Sequence, residues 1–161
     1  MYLMPKLRRG FTLIELLVVI GVLAVLLTIV LIAINPARQF SQSNNTKRRS
    51  DVNTILNAIH QYAADNRGVL PAGMTNVAAT PMPIRRSAVP DPATEADICT
   101  DTVTDYVAAL PVDPLTNDGA PVTDCTTAYD TGYTVSKSAT NNRITIYAPD
   151  AELSEVISVT R

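Results

Sequence analysis

The sequence predicts an α+β fold in which one long amino-terminal helix, apolar in its first half and amphipathic in its second, packs on a small antiparallel sheet. Three observations carry this. Residues 11–34 form an apolar run broken by a single charge, Glu15. Residues 52–63 repeat apolar side chains at helical spacing. The last thirty or so residues hold segments in which apolar and polar side chains alternate.

The apolar run is long enough to cross a bilayer. About two dozen residues at about 1.5 Å each extend roughly 36 Å, more than the hydrocarbon core requires. Lys6, Arg8 and Arg9 precede the run with no acidic residue among them, so the basic flank stays cytoplasmic and residues 35–161 are exported. A secretory signal peptide fits poorly, because its apolar core is only about 7 to 15 residues and ends in a small-residue cleavage site, unlike AINPARQ here. An ordinary single-span anchor fits the length but leaves Glu15 unexplained. A carboxylate at mid-bilayer costs about 2.5 to 3.5 kcal/mol, a cost that nearness to the interface softens.

The helical pattern resumes beyond NPAR, residues 35–38. Pro36 removes a backbone donor and crowds the preceding turn, so it predicts a kink or local melting within a continuing helix. Val52, Ile55, Leu56, Ile59, Tyr62 and Ala63 then share one face, and Asn53, Asn57, Gln61 and Asp65 take others. Gly68 is the expected carboxy-terminal cap. One helix from Phe11 to about Asn66 follows, weakest at SQSNNT, 41–46, whose residues are poor helix formers. Lys47, Arg48 and Arg49 read as a solvated face or as a contact with the acidic part of a neighbouring copy. His60, at the flank of the stripe, reads as a packed or half-exposed side chain.

Residues 69–94 hold five prolines and predict a long surface connection, with Arg85 and Arg86 facing solvent or a partner. A short helix is expected over 101–110, where Val103, Tyr106, Val107 and Leu110 fall at helical spacing before Pro111. GYTVSKS, ATNN and RITIYAP then read as a strand, a turn and a strand, and EVISVT as a third strand. Tyr133 with Val135, Ile144 with Ile146, and Ile157 with Val159 give each strand one apolar face.

Charge divides the chain: residues 1–68 carry eight Lys/Arg against three Asp/Glu, a balance of +5, and residues 69–161 carry five against twelve, −7. The acidic distal part argues against direct nucleic-acid binding, which needs clustered positive charge. The two cysteines, Cys99 and Cys125, have neither C-x-x-C spacing nor a nearby histidine, so no zinc site is expected. In an exported domain they read as a disulfide, the alternative being two free thiols.

The stretch RRGFTLIELLVVIGVLAVL resembles the amino-terminal signature of type IV pilins and of their relatives, the pseudopilins of type II secretion. The shared features are a basic leader, Gly, Phe, Thr-Leu-Ile-Glu and an apolar helix. The resemblance implies a pilin-like fold. It also implies a leader at 1–10, removed by a prepilin peptidase between Gly10 and Phe11, and N-methylation of the new terminus at Phe11. Glu15 then matches the family's glutamate and pairs with the Phe11 amine, on its own or a neighbouring chain, during assembly. The organisation implied is a membrane and assembly half-helix at 11–34, an amphipathic half at 35–68 and an extracytoplasmic head at 69–161.

LPVDPLTNDG, residues 110–119, likewise resembles a stretch common in the heads of this family, and Asp113, Asn117, Asp118 and Asp124 there supply oxygen ligands for calcium, as in the heads of major pseudopilins. The same residue types are also ordinary turn formers. The function implied is a structural subunit of a pilus-like filament, polymerised with copies of itself by an inner-membrane assembly platform. It begins as a single-pass protein of the inner membrane and ends in an extracellular fibre. The alternatives are a major pseudopilin and a membrane-anchored exported enzyme. For the last, no Gly-rich phosphate loop, H-E-x-x-H or G-x-S-x-G is found.

Overall fold

The computed structural model describes residues 10–161, and Lys6, Arg8 and Arg9, in the expected leader, lie outside them. The chain divides into two units, one ending at Gln39 and the other spanning Phe40–Arg161.

The first unit carries α1, Leu13–Ile34, in which no residue is buried. Leucine, valine and isoleucine fill every turn, so the helix is apolar on all sides. It stops at Asn35, whose backbone is left-handed at φ 47, a conformation that asparagine adopts more readily than most residues. Pro36 then opens α2, Pro36–Asp65, at the first helical position, where its missing N–H costs nothing. The Arg38 amide donates to the Asn35 carbonyl at 3.1 Å. The single helix expected from Phe11 to about Asn66 is therefore two helices meeting at Asn35, because proline suits a new first turn better than an interior one.

Phe40–Arg161 has its own core. Val52, Ile55, Leu56 and Ile59 of α2 are buried in one cluster with Tyr133, Val135, Ile144 and Ile146. The helix closes as expected: Gly68, at φ 88, donates its amide to the Ala63 carbonyl at 2.7 Å. The three strands read from the sequence are β2 (Tyr129–Lys137), β3 (Ile144–Ala148) and β4 (Ile157–Thr160). A fourth, β1 (Met82–Arg86), pairs with β2 to give an antiparallel sheet in the order β1-β2-β3-β4. This corrects the expectation that 69–94 is connection alone. An edge strand tolerates Pro83 because a missing donor there breaks no second ladder, and Ile84 fills the core below.

Two more expectations change. The helix over 101–110 is only one turn, α3, Cys99–Thr102. Its last residue, Thr102, donates its hydroxyl to the Ile98 carbonyl at 2.7 Å, and the chain turns out at Thr104, φ 78. Val103 and Leu110 are buried even so. Arg85 and Arg86, in turn, pair within the chain, with Glu95 at 3.4 Å and Asp97 at 2.7 Å. Cys99 and Cys125 form a disulfide across a separation of 26 residues, which ties α3 to the loop before β2 and stabilises by about 3.5 kcal/mol in the chain-entropy account.

The largest correction concerns Arg48; Lys47 and Arg49 beside it are exposed, as a solvated face requires. Arg48 is 0% exposed. Its Nε donates to Asp113 Oδ2 at 2.6 Å and its Nη2 to Asp113 Oδ1 at 3.1 Å, while Nη1 reaches Asn45 at 3.0 Å and Glu152 at 2.9 Å. Lys47 donates to the carbonyls of Val112 and Gly119, and Arg49 pairs with Glu155 at 2.5 Å. Burial opposes the charge on Arg48, but the two carboxylates outweigh it and hold the guanidinium protonated more firmly than usual. The segment 41–46, poor in helix propensity, is helical throughout. Ser41 and Asn44 both donate to Glu152 at 2.8 Å, and Asn45 donates to the Glu152 carbonyl at 2.8 Å while accepting its amide at 2.9 Å. Tertiary hydrogen bonds override weak local preference here.

Two expectations follow. Arg48→Met leaves Asp113 buried without its cation and should destabilise the head by about 3–5 kcal/mol, whereas adding Asp113→Leu should recover most of that; thermal unfolding followed by circular dichroism distinguishes them. Glu152, held below the usual carboxylate range by the donors Asn44, Ser41 and Arg48, contributes stability that is present above its unfolded value, about 4.3, and lost as pH falls through the lower folded value. Glu152→Gln should accordingly flatten the acid limb of a plot of melting temperature against pH below about 4.3.

Candidate functional site

The residues singled out at the amino-terminal end lie together in one exposed stretch. Gly10 has open space around it, and Phe11 is 90% exposed. Thr12 is the helix cap, extended at φ −82 and ψ 152, and α1 begins immediately after it. Its hydroxyl accepts the Glu15 amide at 3.3 Å, and Glu15 Oε2 accepts both the Thr12 amide at 2.8 Å and the Thr12 hydroxyl at 2.7 Å. This reciprocal arrangement is a capping box, which satisfies two backbone donors that the first turn would otherwise leave open.

The Glu15 carboxylate thus has a local role that composition did not show, although the signal was in the sequence: Thr12-Leu13-Ile14-Glu15 has the spacing of a capping box. The helix amino terminus also favours an anion there. Both Thr12 donors fall on Oε2, so Oε1 carries no hydrogen bond among the described residues. Phe11, Ile14, Glu15 and Val18 line one shallow apolar concavity, which places the carboxylate beside the residue that would become the chain terminus.

The four residues considered for calcium do not converge. Asp113 is buried, spends both oxygens on Arg48 and also accepts the Leu115 amide at 2.9 Å. Asn117 and Asp118 stand in a short 3-10 turn, Asn117–Gly119. Asp124 accepts the amide and hydroxyl of Thr126 at 2.8 and 2.6 Å. Among the described residues no group of three or more His, Cys, Asp or Glu side chains could hold a metal ion. The oxygen-rich loop is used for turns and for neutralising a buried arginine. His60 is half-buried on α2, as its position at the flank of the stripe suggests.

What this site can do chemically is set by two features. A peptide bond between Gly10 and Phe11 is sterically open, and a carboxylate held in position one turn beyond it is otherwise surrounded by hydrocarbon side chains. Residues 5–31 match the family model described as the prokaryotic N-terminal methylation motif, the signature of type IV pilins and pseudopilins. No curated protein and no solved structure matches the chain.

If Thr12 caps α1 as described, Thr12→Ala should loosen the first turn by about 1 kcal/mol. Amide exchange at residues 13–16, measured on the full chain in micelles, should then quicken by about fivefold, with residues deeper in α1 unchanged.

Proposed function

We propose that the chain is a structural subunit of a type IV pilus-like filament, cut after Gly10, N-methylated at Phe11 and polymerised through α1. The reading rests on the methylation motif at 5–31 and on one physical observation. α1 is a 22-residue apolar helix with no buried residue, which leaves its apolar surface for lipid or another copy to cover. At about 1.5 Å per residue it spans roughly 33 Å, enough for the hydrocarbon core of a bilayer. Lipid covers it before assembly, and the same helix from other copies covers it afterwards.

Hydrolysis of the Gly10–Phe11 amide turns the Phe11 nitrogen into an ammonium group, and methylation leaves that nitrogen able to hold its proton. A cation then stands near an anion at the edge of an apolar medium. Thr12 orients Glu15 through Oε2 and leaves Oε1 for the ammonium, of the same chain or of a neighbour. Attraction between the two strengthens as the dielectric falls, and pairing removes two separate desolvation costs. In a bundle of otherwise featureless apolar helices, this pair is what can fix the axial register between subunits. The disulfide-tied head, Phe40–Arg161, is the part presented outside the membrane. Prepilin peptidase, the inner-membrane assembly platform and further copies of the chain are its partners in this reading.

Electron microscopy of surface fibres, with mass spectrometry of their main subunit, tests the proposal. The expected subunit begins at methylated Phe11; a fibre-free chain still carrying Gly10 would overturn it. Long surface fibres favour a pilus, and short ones confined to a secretion apparatus favour a pseudopilin. Glu15→Gln retains a side chain able to close the capping box but has no charge. That variant should insert and be cleaved normally yet form few filaments, and ordinary filament yield would remove Glu15 from assembly.

A further inference from the structure

Two apolar side chains of Phe40–Arg161 lie uncovered where the chain enters that unit. Phe40 is 69% exposed and Leu153 is 45% exposed. They flank one set of hydrogen bonds. Glu152 accepts from Ser41, next to Phe40 in the chain, and from Asn44, one helical turn beyond Phe40, both at 2.8 Å. Starting from the membrane-spanning reading of α1 given above, we infer that Phe40 and Leu153 form an apolar foot, seated in the headgroup layer of the same bilayer.

The loop that carries Leu153 is built to hold it outward. Leu153 and Ser154 both have left-handed backbones, at φ 58 and φ 57, a conformation uncommon for residues other than glycine, asparagine and aspartate. The surroundings are firm. Ala151 packs against the core, and the Glu152 amide and carbonyl both bond to the Asn45 side chain. Between these two anchors a leucine is nonetheless turned to the outside. Unfavourable backbone of this kind persists where neighbours impose it, and it clusters at places that contact ligands.

Position selects lipid as the occupant. Phe40 follows Ile34, the last residue of α1, by six residues. Two of those steps cross the break at Asn35 and four lie in α2. Phe40 is therefore within about 13 Å of the end of the apolar span, whatever angle the two helices make. Helical side chains also lean toward the amino terminus of their helix, which on α2 is the end joined to the span. The headgroup layer beyond the hydrocarbon is about 5 to 7 Å thick, and apolar side chains at a membrane surface enter it by about 5 to 10 Å. The acids beside the foot, Glu152 and Glu155, are spent on Arg48 and Arg49 within the chain. What the foot offers lipid is apolar surface rather than charge.

The chain has no tryptophan, so a single introduced one reports only its own surroundings. The test uses the full chain at low density in phosphatidylcholine vesicles, with bromine on the lipid acyl chains near the headgroup as quencher. Leu153→Trp should lose most of its emission. Ala139→Trp, exposed in the turn at the opposite end of β3, should lose none. Phe40→Asp should restore most of the Leu153→Trp emission and leave Ile20→Trp, inside α1, fully quenched. Leu153→Trp unquenched beside a quenched Ile20→Trp would overturn the foot and leave the span standing, whereas Ile20→Trp unquenched would overturn both. Leu153→Trp emission that is blue-shifted yet unquenched would mean that another copy covers the patch, and quenching indifferent to Phe40→Asp would mean that the two residues do not act together. Either result also overturns the inference.

Discussion

A guanidinium that cannot lose its proton sits at the centre of the head, and the rest of the head is arranged around its need for negative charge. Arg48 is fully buried, and its counter-charges come from 65 residues away at Asp113 and 104 residues away at Glu152. Bringing them in places the loop after α3 on one flank of the helix and the loop after β3 on another. Arg48, Val52, Ile55 and Ile59 follow one another at helical spacing, so seating Arg48 also turns the apolar stripe toward the sheet. Asp51, one turn on, receives the Tyr133 hydroxyl at 2.8 Å and pins β2 to the same helix. Burial raises the affinity of Asp51 for its proton, and that hydrogen bond opposes the rise. A buried ion pair of this kind is weak evidence for stability and better evidence for specificity: an apolar replacement can pack as tightly, but it does not dictate which loops meet.

The two units answer to different solvents. Within Phe40–Arg161 the buried charges have partners: Arg48 has two acids, and Glu95 has Arg85 together with the amides of Ser87 and Asp91. Burial pushes Glu95 toward its neutral form, yet these amides outweigh it and keep the carboxylate charged. α1 reverses every one of these terms. Its side chains are apolar and uncovered, so its stability in water would rest on backbone hydrogen bonds alone. In a medium without water those bonds are all the helix needs. The same chain therefore joins a water-built head to a helix built for hydrocarbon.

The parts of this architecture that were legible in the sequence are those set by local periodicity. The stripe at 52–63, the alternation in β2, β3 and β4, the Gly68 cap and the cysteine pair all follow from spacing or residue type. The parts that were hidden depend on distant partners. Nothing near Arg48 in the chain announces Asp113 or Glu152, so a basic triplet reads as surface. Segment 41–46 reads as weak helix because the acceptor for Ser41 and Asn44 lies more than a hundred residues on. β1 was masked by prolines that an edge position tolerates. The helix over 101–110 was a false period: Val103 and Leu110 are buried, but Thr102 bonds back to Ile98 and the chain leaves the helix at Thr104. At the amino-terminal end what escaped was the cap, despite its Thr-x-x-Glu spacing.

That cap sharpens why a carboxylate belongs in α1 at all. Two demands meet at position 15, and Thr12 satisfies only one of them. Hydrogen bonds from the Thr12 amide and hydroxyl close the first turn and fix where the carboxylate points, a service any acceptor of similar shape could perform. They transfer no net charge. In the filament proposed above, a carboxylate kept in hydrocarbon carries a cost, whether of desolvated charge or of protonation, that the cap does not remove. Capping therefore holds Glu15 in position without neutralising it, with one oxygen spent on Thr12 and the other open. In the proposed filament a positive group at the same depth would remove that cost, and the Phe11 amine freed by cleavage after Gly10 is the cation that this reading supplies.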